Sequence, residues 1–147
     1  MTETNKPNIL FLCTGNSARS QMAEGLLRSH AGDRYNVYSA GLEPKGVNPY
    51  AIRAMDEIGL DISTQESTSL AEYMGHKPFA TLITVCDHAE QNCPRTFLLS
   101  IDNHLHWSVE DPAAFEGSDA DTAEKFREAR DELDQRISDW LTHEAQS

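Results

Sequence analysis

The stretch CTGNSARS, residues 13–20, directly follows the apolar run NILFL and contains a cysteine with an arginine six positions later. The apolar run predicts a buried strand that ends at Cys13, and a helical pattern follows. A loop between a strand and a helix points several backbone N–H groups at one spot, where the helix dipole favours negative charge. The same field stabilises a thiolate at Cys13. The spacing of Cys13 and Arg19 therefore predicts a nucleophilic thiolate beneath a bound anion.

Small residues dominate this predicted anion loop. Gly15 and Asn16 tolerate the positive φ that such a cradle often needs, and Arg19 adds a planar fork that matches two oxygens of a tetrahedral anion. A lone cysteine at a strand end is usually a packing residue, but this spacing at a strand-to-helix junction favours catalysis. The predicted oxyanion-binding residues are Thr14, Gly15, Asn16, Ser17, Ala18, Arg19 and Ser20.

Composition restricts the partners of the chain. Its 147 residues fit one domain, residues 1–147. With 24 acidic and 12 basic side chains the formal charge is −12, so nucleic acid and anionic membranes are not expected as partners. The N-terminal sequence MTETNKPN has neither a basic start nor a long apolar core, which predicts a cytoplasmic protein. In that reducing compartment the three cysteines are expected to be catalytic residues, metal ligands or buried core residues, and not to form structural disulfides.

Four short β-type runs alternate with helical patterns. Apolar strands separated by helices predict a parallel sheet covered on both faces, which is a three-layer α/β/α fold with four parallel strands. The predicted strands are residues 8–13, 35–40, 81–86 and 104–109. The predicted helices are a first one with the stripe Met22, Ala23, Leu26, Leu27 and His30, then residues 48–58 with Asn48 as cap and Pro49 at its first position, residues 69–74, and residues 121–141.

Three side chains that could take part in chemistry lie at the carboxyl ends of three of these strands. Ligands of open α/β sheets bind outside the carboxyl ends of the strands. Cys13 ends the first strand, Cys86 ends the third, and Asp111 lies just past the fourth. These residues are therefore expected to meet at one edge of the sheet.

The stretch CTGNSARSQMAEG resembles the signature of the low-molecular-weight protein tyrosine phosphatases, and more closely that of the arsenate reductases that share their fold. The similarity extends over most of the chain, through YSAG, GLDIS, TLITVCDHAEQNCP and HWSVEDPA. The resemblance implies a phosphatase-like fold with Cys13 as the nucleophile. It also implies that Asn16, Arg19 and Ser20 belong to the anion loop, and that Asp111 is the acid that protonates a leaving oxygen.

Phosphatases and reductases of this fold differ at the second step. Both begin with attack of a thiolate on a tetrahedral oxyanion and proton donation from an acid such as Asp111. A phosphatase then uses water, whereas a reductase needs a second thiol that attacks the sulfur of Cys13. The chain supplies Cys86 and Cys93, and it places alanines rather than ring-stacking aromatic residues directly after Pro112. We therefore predict an arsenate reductase, with phosphate or sulfate as competing anions.

The spacing of the two later cysteines predicts a relay. If residues 86–93 begin as a helix, seven rises of about 1.5 Å separate their Cα atoms by about 10 Å, beyond the ~7 Å limit for a disulfide. We infer that Cys86 attacks Cys13 and expels arsenite, and that Cys93 then attacks Cys86 as the segment unwinds. In related reductases thioredoxin reduces the resulting disulfide.

Several alternatives stay open at this stage. Electrons could return through glutathione or mycothiol with glutaredoxin, which would make Cys93 dispensable, or the chain could be a tyrosine phosphatase. Cys86, His88 and Cys93 could bind zinc or simply fill a core, although the remaining histidines lack ligand spacing. No tightly bound cofactor or metal is expected. Some related reductases bind potassium beside the loop, and that pattern is matched by Asn16, Glu24 and Ser39 but not by Glu66 and Thr68.

Overall fold

Four parallel strands form the central sheet of the protein. Its structure is a computed structural model, which describes residues 6–145. The strands are β1 (Asn8–Cys13), β2 (Asn36–Gly41), β3 (Thr81–Thr84) and β4 (Asn103–His106), and they lie in the order β2-β1-β3-β4. The described residues form five α-helices, which are α1 (Arg19–Ala31), α2 (Pro49–Asp56), α3 (Asp87–Asn92), α4 (Arg95–Leu99) and α5 (Asp119–Ala145). This arrangement confirms the predicted three-layer α/β/α fold with four parallel strands.

The continuous apolar sequence of β1 places it at the centre of the sheet. Its residues from Ile9 to Cys13 are all buried, and it pairs with β2 on one side and β3 on the other. In this register Cys13 lies opposite Gly41, and Leu12 lies opposite Thr84. The carboxyl ends of the three strands therefore meet at the edge where Cys13 lies.

The helices pack against the sheet and against one another through their apolar faces. The buried side of α1 packs against α2 and α5 and against β1 and β2, whereas α3 lies against β1 and β3. As predicted, Asn48 caps α2 by accepting a hydrogen bond from the Tyr50 N–H at 2.8 Å, and Pro49 is its first residue. His30 departs from its predicted stripe, because it is exposed and contacts Asp134 at 2.7 Å. The buried stripe of α5 contains Phe126, Ala129, Leu133, Ile137 and Trp140.

Several predicted boundaries differ from the structure. β3 was expected to reach Cys86 but ends at Thr84, because the chain turns away from the sheet after Val85 and Cys86 caps α3. With no partner strand beyond Thr84, β4 ends at His106 rather than at residue 109. β4 is also an edge strand that is largely exposed, not covered on both faces. The predicted helix 69–74 is a single 3-10 turn, Leu70–Glu72.

Pro94 ends one helix and begins another. The sequence predicts only that it stops a helix, and α3 does end before it, at Asn92. Proline lacks an N–H group, which a helix start does not need. Pro94 therefore stands at the N-cap of α4, which the sequence did not predict.

No helix within residues 6–145 is long and apolar enough to cross a membrane. The N-terminal stretch on which the predicted location rests lies mostly outside the described residues, since residues 1–5 precede them.

Candidate active site

A cavity of about 520 Å³ opens at the carboxyl ends of the strands. Cys13, Arg19, Cys86 and Asp111 all line it. These four residues come from β1, the start of α1, the chain after β3 and the chain after β4, as the predicted convergence requires. Among the predicted residues that the structure describes, Cys93 is the catalytic candidate that does not line the cavity.

The anion loop has a strained centre that neighbouring segments hold in place. Asn16 has a φ of 46°, in the left-handed region that asparagine tolerates. Its side-chain Oδ1 accepts the Thr68 N–H at 2.7 Å, and its backbone carbonyl accepts bonds from Gln21 Nε2 at 3.0 Å and Ser67 Oγ at 2.9 Å. These contacts fix the loop in a conformation whose curvature can surround an anion.

Gly41 leaves room for the anion loop. A Cβ atom at this position would lie 2.8 Å from the Asn16 backbone nitrogen and 2.8 Å from the Thr14 carbonyl oxygen. Real side chains do not approach backbone atoms so closely, so a larger residue would push the loop away from β2. Gly41 and Ser67 therefore support the site, although neither was predicted to do so.

The sulfur of Cys13 lies in a polar, buried setting. It is 2.8 Å from Ser20 Oγ, and Asn16 Nδ2 donates a bond to the same Ser20 oxygen at 2.8 Å. Because Asn16 occupies a lone pair of that oxygen, the Ser20 hydroxyl proton is free to point at the sulfur. The first turn of α1 begins at Arg19 and carries no acidic side chain. The Ser20 hydroxyl and the N-terminus of α1 thus both direct positive partial charge towards this sulfur.

Arg19 connects the anion loop with the segment that carries Asp111. Its Nη1 donates to the Val109 carbonyl at 2.8 Å, and its Nη2 lies 3.7 Å from Asp111 Oδ2. The other carboxylate oxygen, Oδ1, accepts the Ala113 N–H at 3.0 Å. These contacts keep Asp111 at the cavity while leaving its side chain 42% exposed. A carboxyl group placed in this way can deliver a proton to an atom that leaves the anion.

Cys86 lies beside the anion loop at the start of α3. The Val85 N–H donates to the Leu12 carbonyl at 2.9 Å, which keeps the chain next to β1 up to the residue before Cys86. The Cys86 sulfur accepts the Ala89 N–H at 3.4 Å and lies 3.4 Å from Thr14 Oγ1. The two thiols Cys13 and Cys86 therefore share one cavity, as the relay requires.

Thr14 joins the anion loop to α3 in a way that the sequence does not reveal. Its Oγ1 lies 2.9 Å from His88 Nδ1 as well as 3.4 Å from the Cys86 sulfur. The ring of His88 is exposed, but it has this defined partner. His88 is thus engaged with the loop, and no group of three or more His, Cys, Asp or Glu residues suited to a metal occurs within residues 6–145.

Cys93 stands at the far end of α3. The helix covers all six residues between the two cysteines, so their Cα atoms are about 10 Å apart and cannot form a disulfide without unwinding of α3. Burial, together with the negative charge of Glu90, raises the pKa of the Cys93 thiol to about 11. Cys93 is therefore a protonated, weakly nucleophilic thiol while α3 is wound.

This raised pKa gives a pH-dependent prediction. Only the thiolate is alkylated, so the labelling rate of Cys93 by iodoacetamide should rise roughly tenfold per pH unit from pH 7 to about pH 10. A thiol of ordinary pKa, near 8.5, would level off above about pH 9. Peptide mass spectrometry of the reduced protein measures the rate, with glutathione labelled in the same samples as the reference. A plateau of Cys93 labelling near pH 9 would contradict this assignment.

Three residues of the potassium pattern, Asn16, Ser39 and Glu24, are joined by hydrogen bonds. Asn16 Nδ2 donates to Ser39 Oγ at 2.9 Å, and Ser39 Oγ donates to Glu24 Oε1 at 2.5 Å. Arg28 Nη2 binds the other Glu24 oxygen at 2.6 Å. No buried side-chain nitrogen or oxygen of residues 6–145 lacks a hydrogen-bond partner. Asn16, Ser39, Glu24 and Arg28 thus form one hydrogen-bonded network that connects the anion loop with α1 and β2.

Comparisons with known proteins agree with this architecture. The family model of the low molecular weight phosphotyrosine protein phosphatases matches residues 8–146. An arsenate reductase of Halalkalibacterium halodurans is 48% identical over 133 residues, covering 90% of this chain and 94% of the relative.

Solved structures give the same result. An arsenate reductase in its phosphate-binding state superposes with a TM-score of 0.78 at 30% identity, over 93% of this chain and 98% of the other. The thioredoxin-dependent arsenate reductase of Corynebacterium glutamicum superposes with a TM-score of 0.73 at 26% identity, over 99% of this chain and 66% of the other. The chain therefore belongs to the low molecular weight phosphotyrosine protein phosphatase family, in which its relatives include arsenate reductases.

Proposed function

We propose that this protein reduces arsenate to arsenite through Cys13, Cys86 and Cys93, and that thioredoxin regenerates it. The observation that carries the proposal is the placement of the two later thiols. Cys86 shares the anion cavity with Cys13, and Cys93 stands one short helix away. A phosphatase needs neither thiol, whereas a reductase needs a second sulfur within reach of the first. The similarity to arsenate reductases supports the same activity.

The first step forms a bond between sulfur and arsenic. The amides of the anion loop and the guanidinium of Arg19 bind the oxygens of arsenate and offset its negative charge. The thiolate of Cys13 attacks arsenic, and Asp111 donates a proton so that one oxygen leaves as water. Arsenic is still As(V) in this adduct, so no electrons have yet been transferred.

The second step transfers two electrons. The Cys86 thiolate attacks the sulfur of Cys13, and the sulfur–arsenic bond breaks with its electron pair on arsenic. Arsenic leaves as arsenite, and a Cys13–Cys86 disulfide forms. Thr14 Oγ1, 3.4 Å from the Cys86 sulfur, is placed to donate a hydrogen bond to that attacking thiolate.

The third step moves the disulfide away from the anion loop. Cys93 loses its proton and attacks the sulfur of Cys86, and Cys13 departs as a thiolate ready for another anion. Because about 10 Å separates the Cα atoms while α3 is wound, α3 must unwind for this step. The exchanged Cys86–Cys93 disulfide is then reduced by thioredoxin, a partner supported by the thioredoxin-dependent neighbour.

A coupled assay tests this function. Arsenate-dependent NADPH consumption is measured with thioredoxin and thioredoxin reductase, for the wild type and for each single cysteine-to-serine variant. We expect turnover in the wild type and loss of turnover in all three variants. Aryl phosphate hydrolysis is measured in parallel. Efficient hydrolysis that survives Cys86→Ser and Cys93→Ser, with no arsenate-dependent NADPH consumption, would identify a phosphatase instead.

Arg19→Lys is expected to lower kcat/KM for arsenate by roughly 10²-fold. Lysine keeps the positive charge but lacks the planar guanidinium that donates two parallel hydrogen bonds. A single ammonium group cannot bind both the anion and the Val109 carbonyl, to which Arg19 donates at 2.8 Å. The coupled assay measures the loss. Arg34→Lys, in the exposed turn after α1, is the matched control and should match the wild type. Equal kcat/KM in Arg19→Lys and the wild type would exclude Arg19 as an anion ligand.

A further inference from the structure

Two histidines of β4 hold the acidic side chains of α3. His104 Nε2 donates to Glu90 Oε1 at 2.8 Å, and His106 Nε2 donates to Asp87 Oδ1 at 2.8 Å. Thr84 of β3 completes the network, because its hydroxyl donates to Glu90 Oε1 at 2.6 Å. The edge of the sheet is thereby bonded to both the first and the fourth residue of the helix.

His106 contacts both α3 and β3. Its Nε2 donates to Asp87 Oδ1 at 2.8 Å, and its Nδ1 lies 2.8 Å from Thr84 Oγ1. The hydrogen bond from His106 lowers the pKa of Asp87, which keeps that carboxylate charged.

α3 depends on such external contacts. A helix of six residues is far shorter than the ~12–15 residues at which isolated helices become even marginally stable. Ala89 is its one buried residue among the six, all of which the structure describes. The sheet contacts of Asp87 and Glu90, the contact of His88 with Thr14 and the cap by the Cys86 sulfur are what fasten α3 to the rest of the protein.

The contacts of His104 and Thr84 with Glu90 also fix the position of the Glu90 carboxylate. His104 and Thr84 bind Glu90 Oε1, so the carboxylate stays near the half-buried Cys93 sulfur at the end of the helix. A fixed negative charge beside a buried thiol opposes ionisation of that thiol. When α3 unwinds, the Cys93 thiol becomes exposed to solvent and moves away from the negative charge of Glu90.

We propose that His104 and His106 are positioning residues that keep α3 wound until Cys86 has reacted, and so fix the order in which the thiols react. This inference rests on the proposed relay. Once the Cys86 sulfur is bonded to Cys13, it no longer caps α3 as a free thiol. The contacts of His104 and His106 with α3 must then break before the helix can unwind. Cys93 then loses its proton to solvent and forms a bond to Cys86, the Cys13–Cys86 bond breaks, and Cys13 takes the electron pair as a thiolate.

Thiol labelling of the reduced protein tests this inference. Iodoacetamide labelling of Cys93 is followed by peptide mass spectrometry at pH 7, without arsenate or thioredoxin. His104→Ala should raise the labelling rate of Cys93 roughly fivefold, because one partly exposed hydrogen bond to the Glu90 carboxylate of α3 is lost. His104→Lys, which can still pair with Glu90, should return the rate close to that of the wild type.

His30→Ala is the matched control. His30 also binds a carboxylate at 2.7 Å, that of Asp134, but it lies between α1 and α5, away from α3. A general loss of stability would raise labelling in both alanine variants, whereas the proposed role raises it in His104→Ala alone. Equal rates in His104→Ala and the wild type would overturn the inference. Because the measurement needs no turnover, its failure is distinct from failure of the relay, which would show as sustained turnover of Cys93→Ser.

Discussion

Replacing Cys13 by serine is expected to abolish arsenate-dependent turnover, with a loss on the order of 10⁴-fold or more. A serine hydroxyl at this position is not ionised at neutral pH, so the nucleophile is lost. Serine also has no sulfur that Cys86 could attack, so the electrons for arsenite would have no route. The helix N-terminus and the Ser20 hydroxyl, 2.8 Å from the Cys13 sulfur, favour an anion that serine does not form.

Binding of the anion should survive this substitution. Phosphate binding, measured by calorimetry, is expected to remain within about tenfold of the wild type, since the loop amides and Arg19 supply the contacts to the oxygens. The combination of retained binding and lost turnover separates a chemical role of Cys13 from a structural one. Measurable arsenite production by the Cys13→Ser protein would contradict the assignment of the nucleophile.

Cys93→Ser is expected to reduce arsenate once and then stop. The first two steps use Cys13, Cys86 and Asp111, all of which line the cavity. A rapid burst of one arsenite per protein should therefore appear, followed by a steady rate that is lower by about 10²-fold or more, because the Cys13–Cys86 disulfide is not passed on to Cys93. Rapid-quench measurement of arsenite gives both phases.

Cys86→Ser is the matched comparison for this burst. It leaves Cys13 able to form the arsenic adduct but removes the sulfur that expels arsenite, so no burst should be seen. Addition of glutathione and glutaredoxin separates the two reductase types. Continuous turnover of Cys93→Ser with thioredoxin, at the wild-type rate, would exclude the third step, and its rescue by glutaredoxin alone would favour the other electron donor.

The fold was predictable where the signals are local. The apolar sequence of β1, the Asn48–Pro49 start of α2 and the long helix predicted over residues 121–141 each depend on neighbours in the chain, and all three are confirmed. The ends of β3 and β4 were not predictable in this way. They depend on where Thr84 loses its neighbours in the sheet, which is set by the departure of the chain into α3.

The site shows the same division. Cys13, Cys86 and Asp111 could be brought together from the sequence, because parallel strands place their carboxyl ends at one edge. Gly41 could not be recognised, since its importance comes from an approach of 2.8 Å by a loop 25 residues earlier in the chain. His104 likewise shows no ligand spacing, because its partner Glu90 lies on α3. Contacts between distant segments leave no local pattern.

The most direct test of the relay is to map the disulfide that forms when the reduced protein meets arsenate in the absence of any external reductant. Peptide mass spectrometry should find one intramolecular bond between Cys86 and Cys93, a free thiol at Cys13, and one arsenite released per protein. All three thiols still reduced after incubation with arsenate, with no arsenite released, would contradict the central claim that these sulfurs pass two electrons to the anion in turn.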